Sequence, residues 1–108
     1  MKHWLRLKEY DTIFLYDDTY YGKYVITTSH LTIIGVTKAK ITYDARNGMI
    51  VRKEDGGDGV KTYGTTGSAS LTVKPSATYL RLENLIIENS YHRVPGNKGN
   101  QNVAFKTE

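Results

Sequence analysis

Two stretches hold most of the side chains whose types and spacing suggest chemistry. One is Thr62–Val73, "TYGTTGSASLTV", and the other is "NQNVAFKT" around Gln101. In the first, Gly64-Thr65-Thr66-Gly67 reads as a tight turn with no room for a helix, followed directly by a strand. Taken alone, the glycines supply turn dihedrals and the hydroxyls satisfy nearby backbone groups. Gln101, taken alone, is a polar residue at the start of a strand. The 11 Asp and Glu residues include Asp11, Asp17, Asp18, Asp44, Asp55, Asp58, Glu83, Glu88 and Glu108. No spacing among them marks an acid–base pair. Asp55 and Asp58 fall in a glycine-rich segment, where the sequence predicts solvated carboxylates. His3, His30 and His92 stand apart from any nucleophile or metal-ligand partner, and cysteine is absent, which removes disulfides and thiolate metal sites. "GGDG" is not a phosphate loop, because no strand leads into it and no helix follows. The chain therefore calls for no metal and no cofactor.

Composition narrows the partners. The 108 residues carry a net charge of +4 and amount to one domain at most, or a piece of one. A basic balance favours polyanions: nucleic acid, anionic lipid or an acidic polysaccharide. The lysines and arginines are scattered, with no run longer than Arg52-Lys53, which speaks against nucleic acid. No stretch is apolar for long enough to span a membrane. The N-terminal segment "MKHWLRLKEYDTIFLYDD" is broken by Lys8, Glu9 and Asp11 and does not read as a signal peptide.

The elements that must position these groups are strands. Thr and Tyr number 13 and 9, a bias that suits pleated, half-buried surfaces. Strands are predicted over Thr12–Tyr16, Lys23–Thr27, Leu31–Val36, Lys40–Asp44, Ala69–Lys74, Tyr79–Asn89 and Asn102–Thr107. "LTIIGVTKAKITYD" and "LRLENLIIENS" share an inward Leu, a polar residue, a second apolar residue, a Gly or Asn corner and a further apolar strand. Such recurrence is the pattern of a β-solenoid. A corner Asn, Asn84 or Asn89, would tolerate left-handed φ and hydrogen-bond the neighbouring turn. A β-sandwich or barrel gives similar local signals, but no two-residue Asn-Gly or Asp-Gly hairpin joins clean strands here.

Read together, "TIFLYDDTYYGKYVITTSHLTIIGVTKAKITYD", "TYGTTGSASLTVKPSATYLRLENLIIENS" and "NQNVAFKT" resemble the N-terminal third of pectinesterases, the pectin methylesterases of carbohydrate esterase family 8. The resemblance runs from Thr12 to the last residues, and the run from Gly64 to Asn89 carries its most specific part. It implies an all-β fold, a right-handed parallel β-helix of which residues 1–108 form an incomplete N-terminal portion. Residues 1–11 would be an atypical lead-in, and residues 45–62 and 90–100 variable loops. It further implies that Thr65, Thr66 and Ser68 offer hydroxyls to a sugar polymer. Gln101, matching the Gln of Q-A-V-A-L, would donate to the oxyanion of a tetrahedral intermediate. Such a coil puts Gln101 beside the Gly64–Gly67 corner on one outer face. Two departures stand next to these positions. Asn102 and Phe105 replace Ala and Leu, and "DTYYG" keeps Tyr20 of G-x-Y-x-E while Asp18 and Gly22 replace the Gly and the Glu.

The family hydrolyses methyl esters of galacturonan, using one Asp as nucleophile, a second as general acid and base, and an Arg that orients the nucleophile. The motifs bearing them, Q-D-T-L, D-F-I-F-G and L-G-R-P-W, lie beyond Q-A-V-A-L and do not occur here. The expectation is a pectinesterase fragment inactive alone, or else a non-catalytic module that holds pectin or polygalacturonate. A structural half completed by a separate chain through the open end of the coil is the third reading. The resemblance also implies an extracellular setting.

Overall fold

The computed structural model describes residues 2–3, 7–92 and 101–108. Among the described residues the chain is all-β apart from two single helical turns. Its strands are β1 (Lys2–His3), β2 (Thr12–Leu15), β3 (Thr19–Tyr21), β4 (Tyr24–Ile26) and β5 (Thr32–Tyr43), then β6 (Leu71–Val73), β7 (Arg81–Asn89) and β8 (Phe105–Thr107). A 3₁₀ turn covers Lys53–Asp55, and a one-turn helix, α1, covers Gly64–Gly67.

Every named strand pairs in parallel. One sheet has the order β1-β4-β6-β8; in the other, β5 lies between β2 and β3 on one edge and β7 on the opposite edge. Equivalent residues therefore stack in columns. Tyr24, Leu71 and Phe105 form one such column, and Val25, Thr72 and Lys106 the next. In the second sheet Ile13, Ile33 and Leu82 align, as do Tyr20, Ile41 and Ile87. Parallel strands need long crossovers rather than hairpins, and this chain supplies them as turns and extended loops.

Alternation decides which residues become core. Tyr24 and Ile26 on β4, Leu71 and Val73 on β6, and Ile33, Ala39 and Ile41 on β5 point inward and are buried together with Leu15 and Leu31. Leu80, Leu82, Leu85 and Ile87 cover this core from the β7 side and are themselves only partly buried. The Val25–Thr72–Lys106 column faces the other way, outside the core cluster.

The sequence predicts separate strands over Leu31–Val36 and Lys40–Asp44, but β5 runs through both. Its irregularity shows against β7, where the register shifts between Ile34 and Ala39. Asn84 sits at that shift with φ +55 and donates its side-chain amide to the Gly35 carbonyl at 2.8 Å. A Cβ on Gly35 would lie 2.3 Å from the Asn84 carbonyl oxygen and 2.7 Å from the Ala39 nitrogen, so only glycine fits. Asn89, the other predicted corner, is not among the residues with positive φ. Its amide instead ties separate loops together, as described below.

Residues 45–62, predicted as a loop, form an ordered arm. Ile50 and Thr62 make one antiparallel bridge, supported by Val51 N–H donating to the Lys61 carbonyl at 2.8 Å. Strand β3 lies in "DTYYG", between two predicted strands and outside both; Tyr20 there packs on the core. Within 90–100, residues 93–100 lie outside the described residues.

Candidate functional site

The outward face of β4, β6 and β8 ends against α1, and the two enclose a groove of about 300 Å³. Val25, Thr27 and Thr72 form its floor, and Thr66 and Gly67 of α1 form one wall. Lys74 and Lys106 line it together with Glu108. Three successive strand layers thus deliver hydroxyls and ammonium groups to one surface, because every second residue of a strand faces the same way.

The charges are arranged around one carboxylate. Lys74 Nζ lies 2.9 Å and Lys106 Nζ 3.2 Å from Glu108 Oε2. Hydrogen bonds from Lys74 first, and then Lys106, hold the Glu108 carboxyl below the usual glutamate range. Lys23 is a third cation lining the groove, and it is buried, with Nζ donating to the Ala69 carbonyl at 2.8 Å. Burial pushes its ammonium below the usual lysine range, against an opposing pull from Asp55. Lys23 also lines a second cavity of about 200 Å³ on the arm side, bounded by Asp55, Lys61 and Tyr63.

Gln101 stands on the far side of the same helical turn. Thr65 Oγ1 donates to Gln101 Oε1 at 2.8 Å. The Gln101 backbone N–H donates to Asn47 Oδ1 at 3.2 Å, and Asn47 N–H returns a bond to the Gln101 carbonyl at 2.8 Å. With its oxygen engaged, the carboxamide's NH₂ is the end that can donate. Thr65 and Thr66 are both exposed, one turned to Gln101 and the other to the groove. Ser68 is fully buried, and its hydroxyl is used internally. It donates to the Thr65 carbonyl at 2.6 Å and accepts from Val103 N–H at 3.0 Å. It therefore sets the geometry of α1 and the chain entering β8 and offers a ligand no surface.

The segment 64–67, predicted as a non-helical turn, is a single helical turn entered through Gly64 at φ +73 and closed by Ser68, whose N–H and hydroxyl both donate to the Thr65 carbonyl. Asn89 fixes the same corner from below. Its Nδ2 lies 2.9, 3.1 and 3.0 Å from the carbonyls of Ala45, Ser68 and Val103. Its Oδ1 accepts from Tyr91 N–H at 3.0 Å and from Asn102 Nδ2 at 3.1 Å. One side chain thus joins the start of the arm, the end of α1 and the approach to β8.

No pair of carboxylates flanks Gln101 among the described residues whose contacts are known. Asp44 is taken by Arg52 Nη1 at 2.7 Å and by the Tyr21 hydroxyl at 2.6 Å. Asp55, predicted to be solvated, accepts from the Tyr43 hydroxyl at 2.6 Å and from the Tyr63 hydroxyl. Arg52 lies 4.8 Å over the Tyr43 ring, which completes a polar aromatic cluster that anchors the arm. Asp58 holds the Val60 and Lys61 N–H groups at 2.9 Å each. His30 is stacked between Tyr10 and Tyr79, with both centroid distances 4.7 Å. Among the described residues no three His, Asp or Glu side chains are grouped to hold a metal ion, and no helix is long and apolar enough to cross a membrane.

Sequence reasoning missed Lys23, Lys74 and Lys106. Val25, Thr72 and Lys106 occupy the second position of their strands, and period-two alternation points them outward. Which strands are neighbours is needed to see that they converge. Compared with known protein families, with curated proteins and with solved structures, the chain matches none.

Proposed function

We propose that the two parallel ladders are faces of one right-handed parallel β-helix, and that its lysine- and hydroxyl-lined face binds an acidic polysaccharide of the pectin or polygalacturonate type. The observation that carries this reading is the groove itself. It combines paired ammonium groups that suit uronate carboxylates with the exposed Thr27 and Thr66 hydroxyls that suit sugar hydroxyls. The column register supports the coil, and the strong preference of parallel crossovers for one hand supports its sense. A binding module is the form of the pectin reading that the geometry favours, because the carboxylates nearest the arm are engaged by Arg52 and by tyrosines.

A second reading, an esterase-type site of the pectinesterase kind, draws on the Thr65–Gln101 contact. That contact orients a carboxamide donor beside the groove wall. One experiment separates the two. The purified chain is passed over immobilised polygalacturonate across a salt series, and methanol release from methylated pectin is followed in parallel. Retention that weakens with salt and leaves the ester content unchanged supports the binding module. Methanol release that disappears in Gln101→Ala supports the esterase. Absence of both retention and release refutes the pectin reading altogether.

A further inference from the structure

We infer that Lys74 and Lys106 form a carboxylate cradle in the groove, that Glu108 occupies it from within, and that an acidic ligand binds by taking the place of the Glu108 side chain. The inference rests on the acidic-polysaccharide reading and specifies where, and against what, such a ligand binds.

Two lysines from neighbouring strands converge on a single oxygen, Glu108 Oε2. They are offset by two residues along adjacent strands. Lys106 lies within β8, and Lys74 directly follows β6, whose Thr72 is the register partner of Lys106. Lys74 thus stands across from Glu108, about one strand spacing of 4.8 Å away, and Lys106 lies two residues before Glu108 and points the same way, so one carboxylate reaches both ammonium groups. The grip is thus a consequence of the strand stacking. Two positive charges facing one negative charge leave the cradle net cationic, and the buried Lys23 adds to the field. Nearby, the exposed Thr27 and Thr66 supply hydroxyls, and the buried Val25 and Thr72 form the floor. At about 300 Å³ the space is at the small end of ligand sites, suited to a short stretch of polymer rather than to a buried cofactor.

Glu108 is a weakly held occupant. Its side chain is 28 % exposed and that of Lys74 is 42 % exposed, so solvent and salt compete with the pair. An internal competitor of this kind lowers the apparent affinity by the fraction of time the cradle is open. If Glu108 is seated about two-thirds to nine-tenths of the time, removing its charge tightens binding of an external carboxylate by about three- to tenfold. Salt narrows that gain, because it loosens Glu108 and the ligand together.

The test is calorimetric titration, at low salt, of the wild-type chain and Glu108→Gln with trigalacturonate and with a triglutamate peptide. Circular dichroism and the denaturation midpoint verify the fold of each variant. The expected result is trigalacturonate binding that tightens about three- to tenfold in Glu108→Gln, with the gain lost in the double variant Glu108→Gln/Lys74→Met. A gain for trigalacturonate but not for triglutamate supports a cradle that also reads sugar hydroxyls. A gain for triglutamate with no trigalacturonate binding supports the cradle and overturns the galacturonan reading. Trigalacturonate binding of equal strength in wild type and Glu108→Gln overturns the cradle and leaves the galacturonan reading standing. No heat from either probe with either protein overturns both.

Discussion

Replacing Asn89 by Ala removes the one side chain that joins three loops at the groove corner. Its Nδ2 has two hydrogens for the carbonyls of Ala45, Ser68 and Val103, at 2.9–3.1 Å, and its Oδ1 accepts from Tyr91 and Asn102. A partly buried polar group left without its partner costs about 1–3 kcal/mol. Water can reach part of this half-buried corner, so the sum stays below the additive limit, and a loss of about 3 kcal/mol is expected. For a chain of this size that corresponds to a fall in Tm of roughly 12–20 °C. Asn89→Asp is the sharper variant. It keeps the acceptor but points a carboxylate at three carbonyl oxygens, so it is at least as damaging at neutral pH and recovers as the carboxyl is protonated. Guanidinium unfolding at pH 7 and pH 4, with the slope held common, measures both variants. The Asn84→Ala substitution, which loses one hydrogen bond of 2.8 Å to the Gly35 carbonyl, is the internal standard. Its expected cost is about 1–2 kcal/mol, the bond plus the left-handed φ. If Asn89→Ala proves no more costly than Asn84→Ala, or Asn89→Asp shows no acid recovery, the account of this corner is refuted.

Gly35→Ala is expected to cost about 3 kcal/mol or more, because the added methyl meets backbone that cannot turn aside. Gly59→Ala, at φ +86 in open space, is expected to cost about 1–2 kcal/mol from its backbone conformation alone, and urea midpoints rank the two. Lys23 should reveal itself at alkaline pH. Its folded pKa is lowered, so between that value and about pH 10.4 the unfolded chain binds more protons, and stability rises with pH in that window. Lys23→Met should lack this rise in a series of denaturation midpoints, and the difference between the two proteins cancels the opposing tyrosine titrations. At the acid end, the hydrogen bond from Arg52 holds the Asp44 carboxyl below its usual range, so its contribution is complete above pH 5 and lost as pH falls through the lowered value. Being partly exposed, the pair is worth about 0.5 kcal/mol, so the cost of Arg52→Met should shrink by about that much as pH falls through the lowered Asp44 value, leaving the pH-independent loss of its stacking on Tyr43.

Most strands were legible because their side chains alternate. Thr12–Leu15, Tyr24–Ile26 and Leu71–Val73 fall inside the segments predicted for them. Where the sequence misled, long-range pairing had overridden local preference. "DTYYG" has the composition of a turn, yet Thr19–Tyr21 is drawn into register with Lys40–Thr42. The gap between Val36 and Lys40 is bridged because β7 supplies partners on both sides of the bulge. Asn84 could be read from its type and place, whereas Asn89 has the same type with a different task. The site was less legible. Gln101 and Thr65 are singled out, and expected side by side, only through the family resemblance; the bonds by which Asn47 holds the Gln101 backbone are marked by nothing in the sequence. The lysines of the groove lie far apart along the chain and meet only because three layers are stacked. Asp55 sits among glycines that suggest solvent, and only the return of the arm brings Tyr43 and Tyr63 over it.

The interlock of Gly35 with Asn84 has a consequence for how this architecture tolerates change. Sliding β7 along β5 by one residue would carry Asn84 off Gly35 and turn the inward side chains of β7 outward, so the strands are keyed like teeth and cannot creep. Added or lost residues must therefore be absorbed where the chain leaves the stack. The short path from Thr12 to Thr32 and the much longer one from Thr32 to Arg81 arrive in the same column despite their unequal lengths. Within the arm, the exposed turn around Gly59, where an added side chain meets open space, is thus the place where foreign sequence can be spliced in while the strand register is kept.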